Sequence, residues 1–154
     1  MRSSTVEQAQ QRDVNASRYI SFLLDNQEFG IPITRVREIK ELVPVVRVPN
    51  APPYITGVIN LRGTIVPILD LRTRLGLPQV PSSRDTGIII VNVENRLCGL
   101  VVDRVEDVKT IRSSDIDKTP EFVLEKLDVS FIDGVARIGD MLLVLLDIDA
   151  VFSK

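Results

Sequence analysis

An internal repeat constrains the fold of this chain more than any other feature of its sequence. Residues 25–39 align with residues 94–108, and residues 57–71 align with residues 134–148. Turn residues, a glycine and an Arg-Val pair coincide in the first alignment, and a Gly-Val pair and a late aspartate coincide in the second. Since both blocks occur in the same order, we predict two similar modules of roughly 60 to 75 residues, a size typical of small five-stranded β-barrels.

Short β-branched runs of strand length fill both modules. The predicted strands cover residues 19–24, 28–33, 43–48, 58–61, 65–69, 86–93 and 97–102. Asp25-Asn26 separates the first two runs and Glu94-Asn95 separates the last two, and both dipeptides are typical of tight hairpin turns. The sequence therefore predicts an all-β chain with little helix.

Three short helices are predicted beside the strands. Asp70 is expected to cap a helix over residues 71–75 that ends at Gly76, because aspartate favours N-caps and glycine favours helix ends. Two further short helices are predicted over residues 121–127 and 147–152. Residues 1–17 are polar and Gln-rich, and we interpret them as a disordered tail without a secretory signal.

Composition excludes several classes of function. The chain has 154 residues, a formal net charge of −2, one cysteine and no histidine. Intrachain disulfides, His-bearing zinc sites and histidine-dependent nucleophilic triads are excluded. The acidic balance and the 5% aromatic content argue against nucleic-acid binding. The longest apolar run, Met141–Leu146, is too short to cross a bilayer, so a cytoplasmic protein without direct membrane insertion is expected.

Other candidate motifs have simpler structural interpretations. Asp70 and Asp147 could form a catalytic carboxylate pair, but helix capping explains both better. Cys98 lies in an apolar run with no histidine to activate it, and a buried small side chain is the expected role. The PxxP spacing in residues 49–53 could dock as polyproline II, although a stiff connector is favoured.

Arg62 is the most suggestive single residue. It lies in the segment Asn60-Leu61-Arg62-Gly63, an apparent turn between two strongly apolar strands. A surface arginine is the simple interpretation. The planar guanidinium also suits a partner's carboxylates, and Arg62 could anchor an interface together with exposed Val36 and Val108.

The chain resembles the CheW family of bacterial chemotaxis coupling proteins from Arg18 to Phe152. The most specific stretch is residues 57–71, GVINLRGTIVPILDL, which is similar to the family's G-V-x-N-L-R-G-x-I-V-P-I-x-D-L signature without a break. The opening hairpin over residues 19–29, the Val-Arg-Glu-Ile element at residues 36–39 and the strand over residues 99–103 add to the resemblance.

The resemblance implies two SH3-like, five-stranded β-barrels within residues 18–152. These modules span approximately residues 18–80 and 81–152, with chain ends exchanging between them and residues 153–154 as the C-terminal end. It also implies no catalysis, no cofactor and no metal. Members of the family bridge the regulatory domain of the histidine kinase CheA to the cytoplasmic hairpin tips of chemoreceptors in membrane-associated arrays. Receptor binding in the inter-barrel groove carries over onto Val36, Glu38, Asn60, Arg62, Val105 and Val108, and kinase contacts lie at the barrel ends.

The sequence is also compatible with several alternatives. The chain could couple a chemosensory pathway other than motility, or it could be a small β-barrel module for another ligand, such as a nucleic acid. A small enzyme using Asp70 and Asp147 would need a cleft that joins them and a strongly perturbed carboxylate. CheV proteins fuse the same domain to a receiver, for which residues 1–154 leave no room.

Overall fold

A computed structural model describes residues 15–118 and 128–153, and the fold within them is built almost entirely of strands. The strands are β1 (Ala16–Leu24), β2 (Gln27–Pro32), β3 (Val36–Glu41), β4 (Ile55–Leu61), β5 (Thr64–Asp70), β6 (Gly87–Val93), β7 (Arg96–Val102), β8 (Arg104–Arg112), β9 (Ile116–Asp117), β10 (Ile132–Ile138) and β11 (Met141–Leu146). The two α-helices are α1 (Leu71–Arg74) and α2 (Ile148–Phe152). Short 3-10 helices cover Ile33–Arg35, Ser113–Asp115 and Val129–Phe131.

The strands form two mixed sheets, and each sheet takes strands from both halves of the repeat. The six-stranded sheet has the order β8-β1-β2-β11-β10-β9, and the five-stranded sheet has the order β3-β6-β7-β5-β4. In each sheet one parallel contact joins the two hairpins, β2 to β11 in the first and β7 to β5 in the second. The predicted all-β class with two related β modules and short helices is confirmed.

Each sheet is closed by one continuous stretch of chain. In the six-stranded sheet, β8 pairs with β1 at one edge, and the same chain continues through Ser113–Asp115 into β9, which pairs with β10 at the other edge. In the five-stranded sheet, β3 forms one edge, and the chain after it returns to β4 through Val46. Val46 and Val58 exchange two backbone hydrogen bonds of 2.9 and 2.8 Å. Closure of this kind leaves little unpaired strand edge.

The predicted turns and caps are confirmed by the backbone. Both central residues of each hairpin turn, Asp25-Asn26 and Glu94-Asn95, have φ between 50° and 64°, as a two-residue hairpin with right-handed strand twist requires. The Asp70 side chain accepts from the Arg72 amide at α1, and the Asp147 side chain accepts from the Ala150 amide at α2. The predicted helix over residues 121–127 lies outside the described residues.

Some strands differ from the sequence-based expectation. The apolar runs do not reveal β3 and β8, because most of the side chains of these strands are exposed or half-buried and many are charged. The predicted strand over residues 43–48 contributes only the single bridge at Val46. Strand β1 begins at Ala16, inside the predicted tail, because Ala16 and Ser17 pair through their backbones with β8. Residues 1–14 of that tail lie outside the described residues.

The largest apolar cluster contains residues of both sheets. Phe22, Phe29 and Val144 come from the six-stranded sheet, and Val91 and Leu100 come from the five-stranded sheet. Each sheet also has a smaller cluster of its own. Burial of each large aliphatic side chain contributes about 1.5–3 kcal/mol, so the shared cluster is a major source of attraction between the sheets.

Gly57 and Gly134 are equivalent in the repeat. Each lies where the segment of chain that closes its sheet passes close to a strand. A Cβ atom on Gly57 would stand 2.1 Å from the backbone oxygen of Val46, and one on Gly134 would stand 2.8 Å from Cγ2 of Ile116. The Gly-Val pair shared by both repeats therefore reflects a steric requirement of sheet closure. Only a residue without a side chain allows so close a backbone approach.

We expect Gly57→Ala to lower the free energy of unfolding by about 3 kcal/mol or more, because the new methyl group would force apart the bridge between Val46 and Val58. Urea denaturation followed by circular dichroism measures this change. Gly87→Ala is the matched control in the same sheet, since its Cβ would meet Val105 at an ordinary 3.4 Å. Equal losses in the two variants would contradict a closure role for Gly57.

Candidate partner-binding groove

A shallow groove lies where the edge strand β3 of one sheet approaches β8 of the other. Ile39, Lys40 and Glu41 line it from β3, and Arg104 and Val105 line it from β8. The floor includes Gly87, where a Cβ would lie 3.4 Å from the Val105 side chain. The two strands face each other here because the chain passes from one sheet to the other directly before each of them.

The three candidate valines lie on these two strands. Val36 and Val105 are half-buried and pack against the cluster that the two sheets share. Val108 is 42% exposed and lies opposite Ile20 of β1. Val36 and Val105 are equivalent in the repeat, so the fold presents one half-buried valine near the start of each groove strand.

Glu38 and Arg62 form an ion pair between β3 and the turn that joins β4 to β5. Nη2 of Arg62 lies 2.5 Å from Oε1 of Glu38, and the Arg62 side chain remains 73% exposed. The hydrogen bond from Arg62 lowers the pKa of the Glu38 carboxyl, and the same bond raises the pKa of Arg62. Most donors of this guanidinium therefore face solvent and are available to a partner's carboxylates.

Asn60 shapes the turn that carries Arg62. Its Oδ1 accepts a 2.8 Å hydrogen bond from the Gly63 amide, and Arg62 and Gly63 have φ of 50° and 90°. This side-chain bond stabilises a left-handed turn that arginine seldom adopts. The structure thus brings Glu38, Asn60 and Arg62 into one cluster, whereas Val108 lies on the opposite sheet, paired with β1.

Ile39 is a groove residue that the sequence analysis did not single out. It is 44% exposed, close to the 42% of Val108, with which it aligns in the repeat. The repeat itself is the signal that could have found it, because a residue equivalent to a proposed contact is a candidate contact.

The chain passes from the five-stranded sheet to the six-stranded sheet just before Val105. This first junction contains a largely buried ion pair. Arg72 of α1 donates from Nε and Nη2 to the two carboxylate oxygens of Asp103, at 2.8 and 2.6 Å. The Asp25 amide donates to Asp103 as well, and the Asp103 amide donates to the carbonyl of Leu23. The hydrogen bond from Arg72 and, less strongly, that from Asp25 lower the pKa of Asp103, against the opposing effect of burial.

The chain passes from the six-stranded sheet to the five-stranded sheet just before Val36. The ion pair at this second junction is more exposed. Arg35 donates to both carboxylate oxygens of Asp149 in α2, at 2.6 and 3.3 Å, and its Nε donates to the carbonyl of Asn92. The side chains of Arg35 and Asp149 are 29% and 62% exposed. The hydrogen bond from Arg35 lowers the pKa of Asp149.

The other sequence candidates have structural roles. Asp70 and Asp147 cap separate helices. Cys98 is buried, and burial raises the pKa of its thiol. Asn50, in the middle of the PxxP segment, has φ of 63°, which polyproline II does not allow. Across residues 15–118 and 128–153, no group of three or more Asp, Glu or Cys side chains is arranged to hold a metal ion.

Comparisons with known proteins give one consistent result. The CheW-like domain pattern matches residues 18–154. The chain is 38% identical to the chemotaxis protein CheW of Klebsiella aerogenes over 136 residues, which cover 88% of this chain and 81% of that protein. It is 39% identical to that of Bacillus subtilis over 137 residues, which cover 89% of this chain and 87% of that protein.

A solved structure shares the fold as well. The scaffolding protein CheW of Thermoanaerobacter tengcongensis superposes with a TM-score of 0.82 at 31% identity. The superposition covers 90% of this chain and 88% of that chain. No helix among the described residues is long and apolar enough to span a bilayer.

We expect the stabilising effect of Asp103 to disappear in acid. Its folded-state pKa lies below the ordinary value of 3.8, so its contribution is complete above that value and is lost as the pH falls through the lowered pKa. The difference in unfolding free energy between the wild type and Asp103→Asn should stay constant from about pH 7 to pH 5 and shrink below about pH 4. Urea titrations at each pH measure it.

Asp115→Asn removes an exposed aspartate in the 3-10 helix Ser113–Asp115 and serves as the control. Its difference from the wild type should be small across the whole pH range. A difference for Asp103→Asn that persists unchanged to about pH 2.5 would contradict an ionised Asp103 as the source of stability.

Proposed function

This chain belongs to the CheW-like domain family and is a chemotaxis scaffold protein, and we propose that it couples a CheA-type histidine kinase to the cytoplasmic hairpin tip of chemoreceptors. The coupling role is that of an adaptor without catalytic activity, which works in the cytoplasm at membrane-associated receptor arrays. One observation carries the receptor part of the proposal. The half-buried valines and the Glu38–Arg62 pair lie on or beside strands that meet at one groove between the sheets.

The groove chemistry fits an amphipathic receptor helix. Ile39 and Val105 line the groove with apolar surface from its two sides. Val36 and Val108 add partly exposed apolar surface farther along the same two strands. Helices that dock in grooves insert an apolar stripe and use charged residues at the rim to fix register. Arg62 is suited to the rim because Glu38 binds one end of its guanidinium and the rest faces solvent.

The kinase part of the proposal uses other surfaces. Family resemblance supports contacts from the regulatory domain of the kinase at the ends of the barrels, away from the groove. Two separate surfaces allow one scaffold to hold receptor and kinase together. A change in receptor state then alters kinase activity through a difference in affinity between the two states.

Calorimetric titration with the regulatory domain of the CheA-type kinase from the same genome tests the coupling. A saturable one-to-one complex with a Kd of about 1 μM or tighter, corresponding to about −8 kcal/mol, is the expected result. Absence of a complex by calorimetry and by a second method, such as analytical ultracentrifugation, would overturn the kinase part of the proposal.

Arg62→Glu should weaken binding of a receptor hairpin fragment by at least about tenfold, because the partner's carboxylates would then face a negative charge. Fluorescence anisotropy with a labelled fragment measures the Kd. Arg137→Glu, an exposed arginine on β10 away from the groove, is the matched control and should leave the affinity unchanged.

The double variant Glu38→Arg with Arg62→Glu separates a contact role from a purely internal one. It restores an ion pair between β3 and the turn with the charges exchanged. Weak binding should persist in the double variant if Arg62 contacts the receptor. Full recovery of affinity would mean that Arg62 acts only through its pair with Glu38.

A further inference from the structure

The two junctions between the sheets are related by the internal repeat through their helices and acceptor carbonyls. Arg72 and Asp149 both lie two residues after the aspartate that caps their helix, and they align in the repeat. Each of these helical residues forms an ion pair with a residue on the connection between the sheets. Arg72 pairs with Asp103, which follows β7, and Asp149 pairs with Arg35, which precedes β3. The charges are reversed, since the helix supplies the arginine in the first junction and the aspartate in the second.

The acceptor carbonyls follow the same repeat, although the donors differ. The carbonyl of Leu23 accepts from the backbone amide of Asp103 in the first junction, and the carbonyl of Asn92 accepts from the side-chain Nε of Arg35 in the second. Leu23 and Asn92 precede equivalent hairpin turns by the same number of residues. The helix positions and the acceptor carbonyls therefore correspond in the two junctions. The residues that pair with the helices do not, because Arg35 aligns with Arg104 and Asp103 aligns with Thr34.

The two junctions differ in burial and in the number of supporting bonds. Arg72 is 9% exposed and also donates to the carbonyl of Pro78, and Asp103 is held by Asp25 as well. Asp149 in the second junction is 62% exposed and takes hydrogen bonds from Arg35 and no other described side chain. Removing one partner from a buried pair is strongly destabilising, whereas exposed pairs contribute little and are screened by salt.

A further contact adds to the difference between the junctions. Arg74 of α1 stacks over the rings of Tyr54 and Phe131, at 4.1 and 4.7 Å from their centroids, and its Nε donates to the carbonyl of Val151 in α2. Helix α1 follows β5 of the five-stranded sheet. Its two arginines, Arg72 and Arg74, therefore connect that sheet to the six-stranded sheet. The apolar cluster between the sheets attracts without direction, so directional bonds of this kind determine the angle at which the sheets meet.

We propose that the two junctions are unequal joints: Arg72–Asp103 is a fixed anchor, and Arg35–Asp149 is an adjustable joint that sets the spacing of β3 and β8. Arg35 directly precedes Val36, so opening of this joint moves the start of β3 relative to β8. All four residues are positioning residues, which act through the strands they hold. This inference rests on the proposed function only in identifying the groove as the receptor site.

Distance measurement between spin labels on the two strands tests the joint without any partner. The labels replace Arg37 on β3 and Thr110 on β8, whose side chains are exposed, in a background with Cys98→Ala. Asp149→Asn should shift or broaden the distance distribution while leaving the Tm nearly unchanged. Asp103→Asn should lower the Tm by several degrees, since it removes the bidentate partner of the buried Arg72.

Salt provides a second measurement that needs no further variant. In about 1 M NaCl the Debye length falls to about 3 Å, so the wild-type distribution should approach that of Asp149→Asn, and Asp149→Asn itself should change little. Asp115→Asn is the matched control for loss of an exposed carboxylate and should keep the wild-type distribution.

Three results would overturn the proposal. A distribution unchanged both by Asp149→Asn and by salt would show that the second junction is not adjustable. The same broadening in Asp115→Asn would show that the effect is not specific to the junction. Equal losses of Tm in Asp149→Asn and Asp103→Asn would contradict the difference between anchor and joint. Failure of a receptor fragment to bind would bear on the proposed function alone.

Discussion

The exchange of hairpins between the two halves of the chain is the constraint on which the rest of the structure depends. The β1–β2 hairpin joins a sheet completed by β10 and β11, and the β6–β7 hairpin joins a sheet completed by β4 and β5. Neither half therefore contains a complete sheet. The largest apolar cluster takes side chains from both sheets, so the modules share the interior that stabilises them.

The same exchange produces the groove and its junctions. The chain must cross between the sheets after β2 and after β7, and each crossing leads directly into one of the strands that line the groove. Charged side chains at these crossings are paired with the short helices. Leaving the buried Arg72 without a partner would be expensive, whereas the Arg35–Asp149 pair is more exposed. The groove between the sheets is thus a consequence of the connectivity, and its shape follows from a few directional contacts.

The surface chemistry beside the groove fits the recognition that we propose for it better than a role in stability. The Glu38–Arg62 pair is exposed to solvent, where ion pairs add little to folding, yet it holds a guanidinium on a constrained left-handed turn. The apolar residues beside it are only partly covered, which is an unfavourable arrangement for an isolated protein and a useful one for a scaffold. Shape and charge therefore define what this surface can recognise.

The sequence by itself determined the repeat, the hairpin turns at Asp25-Asn26 and Glu94-Asn95, and the caps at Asp70 and Asp147. All of these depend on local backbone preferences and short-range hydrogen bonds. The family motif also placed Arg62 in its turn. The tertiary structure alone decided that β3 and β8 are strands, that Glu38 lies against Arg62, and that Arg72 meets Asp103. Those contacts join residues distant in the chain, and no local pattern encodes a pairing that arises only when two sheets exchange their hairpins.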